Sequence, residues 1–226
     1  PLSVIRGFAE LLARPEVEPE RRRTFSDLII ADVDRFLGMT EELLDYSRGT
    51  VSVSPKEVRL GDWLDHLATS VLRNLSATGC NGDNNENSNG NLAEIRLETQ
   101  FDYRGWVNID WDRLSRAVSN IVANAVDAMP GGGTFSVRTK LDEGYWEMEL
   151  EDTGIGIPTE MRLKILEPFV TFGKENGSGL GLAVARNIVE AHGGELRFQS
   201  RVAGEVPGKG PGTLFIIRMP VGHTPA

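Results

Sequence analysis

The sequence predicts an α+β protein: a two-layer α/β sandwich preceded by an α-helical hairpin that associates into a dimeric four-helix bundle. Three observations carry this reading. Residues 1–49 hold their apolar side chains at helical spacing only. Beyond residue 50, short segments of alternating polarity interleave with amphipathic helices. The strands arrive mostly as adjacent hairpins and the helices have one apolar side, which suits a mixed sheet covered on one face.

The first helix carries Leu2, Ile5, Ala9 and Leu12 on one stripe, with Val4, Phe8 and Leu11 beside it. Arg14-Pro15 ends it, because proline drives the preceding residue out of the helical region. Pro19 suits the first turn of a second helix. There Phe25, Ile29, Phe36, Met39, Leu43 and Tyr46 form a heptad seam, widened by Leu28, Leu37 and Leu44, with polar Asp32 filling a gap. A hairpin with so broad an apolar face cannot bury it alone. Self-association into a homodimer solves this, and packing on the chain's own second domain is the alternative.

Gly49 closes the hairpin, and residues 50–222 read as the second domain, followed by a tail at 223–226. Val51 to Val53 and Glu57 to Leu60 alternate like edge strand, and Leu60 to Leu75 reads as a helix. Residues 77–91, dominated by Asn and Gly, form a low-complexity mobile insert. Strands follow at Ile95 to Phe101 and Trp106 to Ile109, then a helix from Trp111 to Met129. Gly133 to Leu141 and Tyr145 to Leu150 form a hairpin turning at Asp142-Glu143-Gly144. A Gly/Pro-rich stretch from Thr153 to Gly179 precedes a helix from Leu180 to His192. Strands from Glu195 to Ser200 and Thr213 to Met219 finish the chain.

Composition excludes several functions. A net charge of -9 disfavours nucleic acid and anionic lipid as partners. One cysteine, Cys80, allows no internal disulfide and supplies no metal-site spacing. No apolar run is long enough to span a bilayer, and no signal peptide opens the chain. A start at Pro1 reads as a piece of something longer. The expected location is the cytoplasm, with any membrane anchor in segments outside this chain.

Three constellations carry chemistry. On the helix from Trp111 to Met129, Asn120, Asn124 and Asp127 share one face beside the apolar stripe Leu114, Val118, Ile121, Val122, Ala125 and Met129. Asn and Asp are poor helix formers, so three aligned mid-helix point to a face kept polar for a ligand. Amide oxygens beside a carboxylate suit Mg²⁺ completed by phosphate oxygens; a merely solvated face is the alternative. Next, Asp152-Thr153-Gly154-Ile155-Gly156-Ile157-Pro158 follows an alternating strand. It places a carboxylate at a pocket wall and glycines where a backbone must approach a flat ligand. That carboxylate accepts from the amino group of adenine and repels the carbonyl of guanine. Last, Gly177-Ser178-Gly179-Leu180-Gly181-Leu182 opens a helix whose free N–H groups favour phosphate, a flexible hinge being the alternative. Upstream, Glu167-Pro168-Phe169 and Phe172 read as a lid. Lys174 is either a phosphate contact or a solvated lysine.

In this order and spacing, the chain resembles the catalytic domain of histidine kinases within the gyrase, Hsp90, histidine kinase and MutL superfamily. Asn120-Ile121-Val122-Ala123-Asn124-Ala125 is similar to the family's N box, and Asp152 to Gly156 to its G1 box. Glu167-Pro168-Phe169 resembles the F box and Gly177 to Leu182 the G2 box. Gly212-Thr213-Leu214-Phe215 matches the closing strand, whose Thr helps hold adenine in relatives. The likeness covers residues 51 to 220, with the Asn-rich insert unmatched. The wording Asn124 to Met129 and the short lid resemble the nitrogen-regulator-like branch.

The resemblance implies a Bergerat-type ATP site and Mg²⁺ as cofactor. Asn124 would bind the metal and Asn120 the phosphate region, with Asp127 on the same face as a further nucleotide-binding residue. Asp152 and Thr213 would take the base. Gly154, Gly156, Gly177, Gly179 and Gly181 would shape pocket and lid, Lys174 is the candidate phosphate contact, and Ile157, Phe169, Ser178 and Leu180 complete the nucleotide-binding set. Pro1-Leu2-Ser3 matches the proline-leucine after the family's phosphoacceptor motif, so the acceptor histidine is expected five residues before Pro1. His66, His192 and His223 lack its context, and His192 reads as a capping or packing residue. The fragment is therefore expected to bind ATP without phosphorylating itself, and to lack the phosphatase activity that uses residues beside that histidine. The implied partner is a response regulator protein. Hydrolysing relatives carry a Glu one turn before the metal-binding Asn. Asn120 stands there instead, and an amide cannot serve as a base. Two other readings remain, an ATPase clamp and a pseudokinase that only binds and dimerises.

Overall fold

The computed structural model describes residues 2–13, 17–47, 52–78, 95–171, 178–206 and 208–222. The chain divides into two compact units, Pro1–Gly49 and Thr50–Ala226.

In the first unit, α1 (Leu2–Leu12) packs on α2 (Pro19–Ser47). The predicted stripe of α1 is rotated. Ile5, Phe8, Leu11 and Leu12 are the half-buried residues, whereas Ala9 is exposed. The reason is Phe8, whose ring stacks on Phe25 with centroids 5.5 Å apart and draws its own face inward. Phe25, Ile29, Asp32 and Phe36 of α2 are half-buried, but Leu28, Ile30, Val33, Leu43 and Leu44 stay exposed. The turn at Arg14-Pro15 lies outside the described residues.

The second unit is a five-stranded mixed sheet with helices on one face. Its elements in chain order are β1 (Lys56–Arg59), α3 (Leu60–Thr78), β2 (Ile95–Phe101), β3 (Trp106–Ile109), α4 (Trp111–Ala128), β4 (Gly133–Asp142), β5 (Tyr145–Asp152), α5 (Thr159–Arg162), α6 (Gly181–Ala191), β6 (Glu195–Arg201) and β7 (Gly212–Pro220). The sheet order is β2-β4-β5-β7-β6, and β1 pairs separately with β3. β2 runs parallel to β4, since α4 provides the crossover between them; the remaining pairs are antiparallel.

Three boundaries differ from expectation. Ser52 and Val53 form no strand. The nearby Ser54 N–H is given to Asp110 Oδ2 at 2.9 Å, which ties this segment to the start of α4 rather than to a ladder. Ala77 and Thr78 belong to α3, so the expected insert starts later; its residues 79–91 lie outside the described residues. The Gly/Pro-rich stretch contains the short α5, which no periodicity announced.

The core lies between α3, α4 and α6 and the sheet face bearing Phe135, Val137, Trp146, Met148, Leu150, Phe215 and Ile217, all buried. Trp63 of α3 meets Trp146 of β5 edge to face and donates its Nε1 to Ser115 Oγ at 2.8 Å. The opposite sheet face is charged. Glu147, Glu149 and Glu151 of β5 stand between Arg138 and Lys140 of β4 and Arg218 of β7, with Lys140–Glu149 at 2.8 Å and Arg138–Glu151 at 2.9 Å. Each exposed pair stabilises little, but together they keep that face in water, which makes the domain two layers and not three.

Candidate functional site

The helix α4 starts where the sequence says it must. Asp110 is its N-cap, accepting the Arg113 N–H at 3.2 Å. The Asp110 N–H in turn is given to His192 Nε2 at 2.9 Å, and His192 Nδ1 meets the Ile188 carbonyl at 2.7 Å. His192 thus ends α6 and pins it to the head of α4. Leu114, Val118, Ile121, Val122 and Ala125 are buried, which turns Asn124 and Asp127 to a cleft at the helix's C-terminal half. Asn124 Nδ2 donates to the Asn120 carbonyl at 2.9 Å, so Oδ1 is the atom a ligand or cation would take. Asn120 does not line the cleft with them. Its Nδ2 donates instead to the Gly181 carbonyl at 3.0 Å, joining α4 to the first turn of α6.

Across the cleft stands Asp152, the last residue of β5, only 5% exposed. Its Oδ1 accepts the Gly154 N–H at 2.8 Å and the Thr213 N–H at 3.2 Å. Burial pushes its carboxyl up to about 6; the two N–H donors pull it down, and Glu151 beside it adds to the rise. Among the described residues no donor meets Oδ2, which leaves that oxygen for the cleft.

The glycines around Asp152 are required by close approach. A Cβ on Gly154 would come within 2.6 Å of the Ala128 carbonyl oxygen. Gly156, at φ +74°, leaves no room for a Cβ against the Arg201 carbonyl. The next turn is fastened by Arg162, which donates Nε to the Ile157 carbonyl at 2.9 Å and grips Glu205 with both terminal nitrogens. That pairing holds the Glu205 carboxyl down to about 2.

The G2 segment enters next. Gly179, at φ +67°, passes directly under Phe169, whose N–H bonds its carbonyl at 2.9 Å. Phe169 itself has φ +64° and is 62% exposed, an uncommon conformation for a bulky residue. Ser178 Oγ accepts the Leu180 N–H at 3.2 Å, and Leu180 is buried as the residue before α6. No side chain caps α6, so its first N–H groups lack intrahelical acceptors and present partial positive charge.

The cleft, about 580 Å³ with its open mouth, is lined by Asn124, Ala125, Asp127, Ala128, Asp152, Ile155, Gly156, Ile157, Ile165, Leu182, Thr213 and Phe215. Of the residues expected to form a site, it gathers Asn124, Asp127, Asp152, Gly156, Ile157 and Thr213. Gly154, Asn120, Gly179, Leu180 and Gly181 support it from behind or beside, and Lys174 and Gly177 lie outside the described residues. Sequence reasoning gave no wall role to Ile155 and Leu182, which it held only as members of the glycine motifs, and missed Ile165, Arg162, Glu205 and Ser200. Only the position of Arg162 just after the glycine loop could have drawn attention. No group of three or more His, Cys, Asp or Glu side chains is placed to hold a metal among the described residues. A cation here would need oxygens from its ligand, which suits Mg²⁺.

Comparison with known proteins bears on the family and the fold. The family profile described as "Histidine kinase-, DNA gyrase B-, and HSP90-like ATPase" matches residues 109–223, just over half the chain, and that of the "His Kinase A (phospho-acceptor) domain" matches residues 1–50. The chain belongs to the histidine kinase family. Among curated relatives, the chain is 30% identical to sporulation kinase A of Bacillus subtilis (strain 168) over 97% of its own length and 32% of that protein. It is 28% identical to the signal transduction histidine-protein kinase AtoS of Escherichia coli (strain K12), over 98% of itself and 33% of AtoS. The chain therefore spans about a third of the length of these relatives. Its fold matches the histidine kinase ThkA, solved in complex with the response regulator protein TrrA, with TM-score 0.71 at 21% identity, over 98% of this chain and 58% of that one. ShkA, solved in complex with AMPPNP, matches with TM-score 0.70 at 22% identity, over the whole of this chain and 44% of that one. The second unit thus has the Bergerat fold, as the resemblance implied, and the first carries the phospho-acceptor family's helical region.

Proposed function

We propose that this kinase binds Mg²⁺–ATP in the cleft between α4, β5 and α6 and transfers the γ-phosphoryl to a histidine of a dimeric helical hairpin, then to an aspartate of a response regulator. The observation that carries the reading is the buried Asp152, whose Oδ2 faces a mostly apolar slot fit for a planar base. Adenine's exocyclic amino group donates to that oxygen. The triphosphate then runs toward Asn124, Asp127 and the uncapped head of α6, where N–H groups receive anionic oxygens. Asn124 Oδ1 would hold Mg²⁺ together with phosphate oxygens, and the ion supplies charge neutralisation on the transferring group.

In the transfer, the bond between the γ-phosphorus and its bridging oxygen breaks, ADP leaves, and a phosphorus–nitrogen bond forms to imidazole, which loses its N–H proton. The chain's own residues position and shield; none forms a covalent intermediate. Asn120 bears on the choice between transfer and hydrolysis. It is an amide that bonds a backbone carbonyl, so it cannot activate water as a carboxylate would. Residues 1–49 contain no histidine, and His66 and His192 sit in the second unit, the former against the Trp111 ring and the latter as a helix cap. The fragment alone is therefore not expected to label itself.

The test supplies a separate hairpin protein carrying a histidine in the family's motif, with γ-labelled ATP. Label on that histidine supports transfer, and steady phosphate release without it supports an ATPase clamp. Binding with neither outcome supports a pseudokinase.

A further inference from the structure

Ser200 ends up in the base wall, although its strand gave no sign of it. It is 8% exposed, and its hydroxyl joins three segments that meet behind the cleft. Oγ accepts the Ile157 N–H at 2.7 Å, lies 3.1 Å from the Gly212 carbonyl oxygen, and lies 2.9 Å from Thr213 Oγ1. One hydroxyl has a single proton for the last two neighbours. Given to Gly212, it leaves Ser200 to accept from Thr213, whose lone pairs then face the cleft. Given to Thr213, it takes the hydroxyl bond away from the Gly212 carbonyl and turns the Thr213 proton toward the cleft. The first arrangement keeps the bond to the Gly212 carbonyl and still lets the Thr213 hydroxyl donate to Ser200, and a carbonyl is the better acceptor of the two.

We propose that Ser200 is a positioning residue that makes the Thr213 hydroxyl an acceptor toward the cleft, and thereby selects a purine bearing an amino group over one bearing a carbonyl at the same position. The inference rests on the nucleotide reading above. Asp152 Oδ2 and Thr213 Oγ1 then form a pair of acceptors, matched to the two hydrogens of an exocyclic amino group. A carbonyl oxygen in that place meets two acceptors and is repelled. Without Ser200, Thr213 is free to turn its proton inward and serve either base.

ADP and IDP, which differ at that position, are the probes, and calorimetric affinities for both are compared in the intact chain. In Ser200→Ala the ratio of ADP to IDP affinity falls by roughly 3- to 10-fold, the scale of one hydrogen bond. Thr213→Val lowers the ratio to a similar extent, and Ser200→Ala added to Thr213→Val changes it no further. Should the alanine variant not fold, Ser200→Cys keeps the volume with a weak donor and gives the same fall. A variant that weakens both nucleotides equally, leaving the ratio unchanged, shows a merely structural serine and overturns the proposal. If the unaltered chain binds neither nucleotide, the nucleotide reading itself fails; if it prefers ADP but the ratio survives Ser200→Ala, only this inference does.

Discussion

Burying the Asp152 carboxyl sets folding and ligand binding against each other, because the protonated form suits the folded apo domain and the ionised form suits an amino donor. Its folded pKa, about 6, lies above the ordinary 3.8, so the group's contribution to stability is fully present below the ordinary value and is lost as pH rises through about 6. Above that pH the cost is on the order of 3 kcal/mol. Asp152→Asn removes the charge while keeping an acceptor for the Gly154 and Thr213 N–H groups. The variant should melt several degrees above the unaltered domain at neutral pH, with the gap closing toward pH 4. It should also lose ADP affinity by about 100-fold, since an amide donor then faces a donor. In the unaltered chain, ADP affinity should fall as pH drops through about 6. Melting curves and titrations across that range check all three. An affinity flat with pH would mean that Asp152 does not meet the base.

Between elements, the cleft depends on contacts that carry a backbone past another at close range. Gly156 passes the Arg201 carbonyl with no space for a Cβ. Gly156→Ala should therefore destabilise the domain by about 2 kcal/mol or more, from strain at positive φ plus the clash, and denaturant titration measures it. The Arg162–Glu205 clip works at longer range, since it ties α5 and the Ile157 carbonyl to the loop between β6 and β7. Arg162→Ala should weaken ADP binding a few-fold through loosened positioning, with little change in melting, because exposed pairs add little to stability. An unchanged ADP affinity would show that the wall holds without the clip.

For the molecule as a whole, the open question is what covers the hairpin. Leu28, Ile30, Val33, Leu43 and Leu44 are exposed on α2, more apolar surface than a lone hairpin keeps in water. Leu43→Glu with Leu44→Glu should convert a dimer to a monomer in sedimentation while leaving ADP affinity in the second unit unaltered. A monomeric unaltered chain would defeat the dimer reading. Among the described residues, no helix is long and apolar enough to cross a membrane, so those leucines are not part of a span.

The sequence by itself determined the long elements α4, β5, α6 and β7, because their apolar periods are local signals that tertiary packing reinforced, whereas it missed the short α5 and placed a strand at Ser52 and Val53 that does not form. It also marked Asn124 and Asp152, whose residue types are unusual where they stand, while Thr213 was marked only by the family resemblance. Only the tertiary structure decided what encloses the cleft. Ile165, Leu182 and Phe215 come from distant parts of the chain, and as ordinary apolar residues they carry no mark of which cavity they will line. It also supplied a backbone carbonyl of α6 as acceptor for the Asn120 amide, a contact no local pattern announces. Ser200 was invisible for the same reason: a hydroxyl on a strand acquires its meaning only from the Ile157, Gly212 and Thr213 groups that folding brings around it.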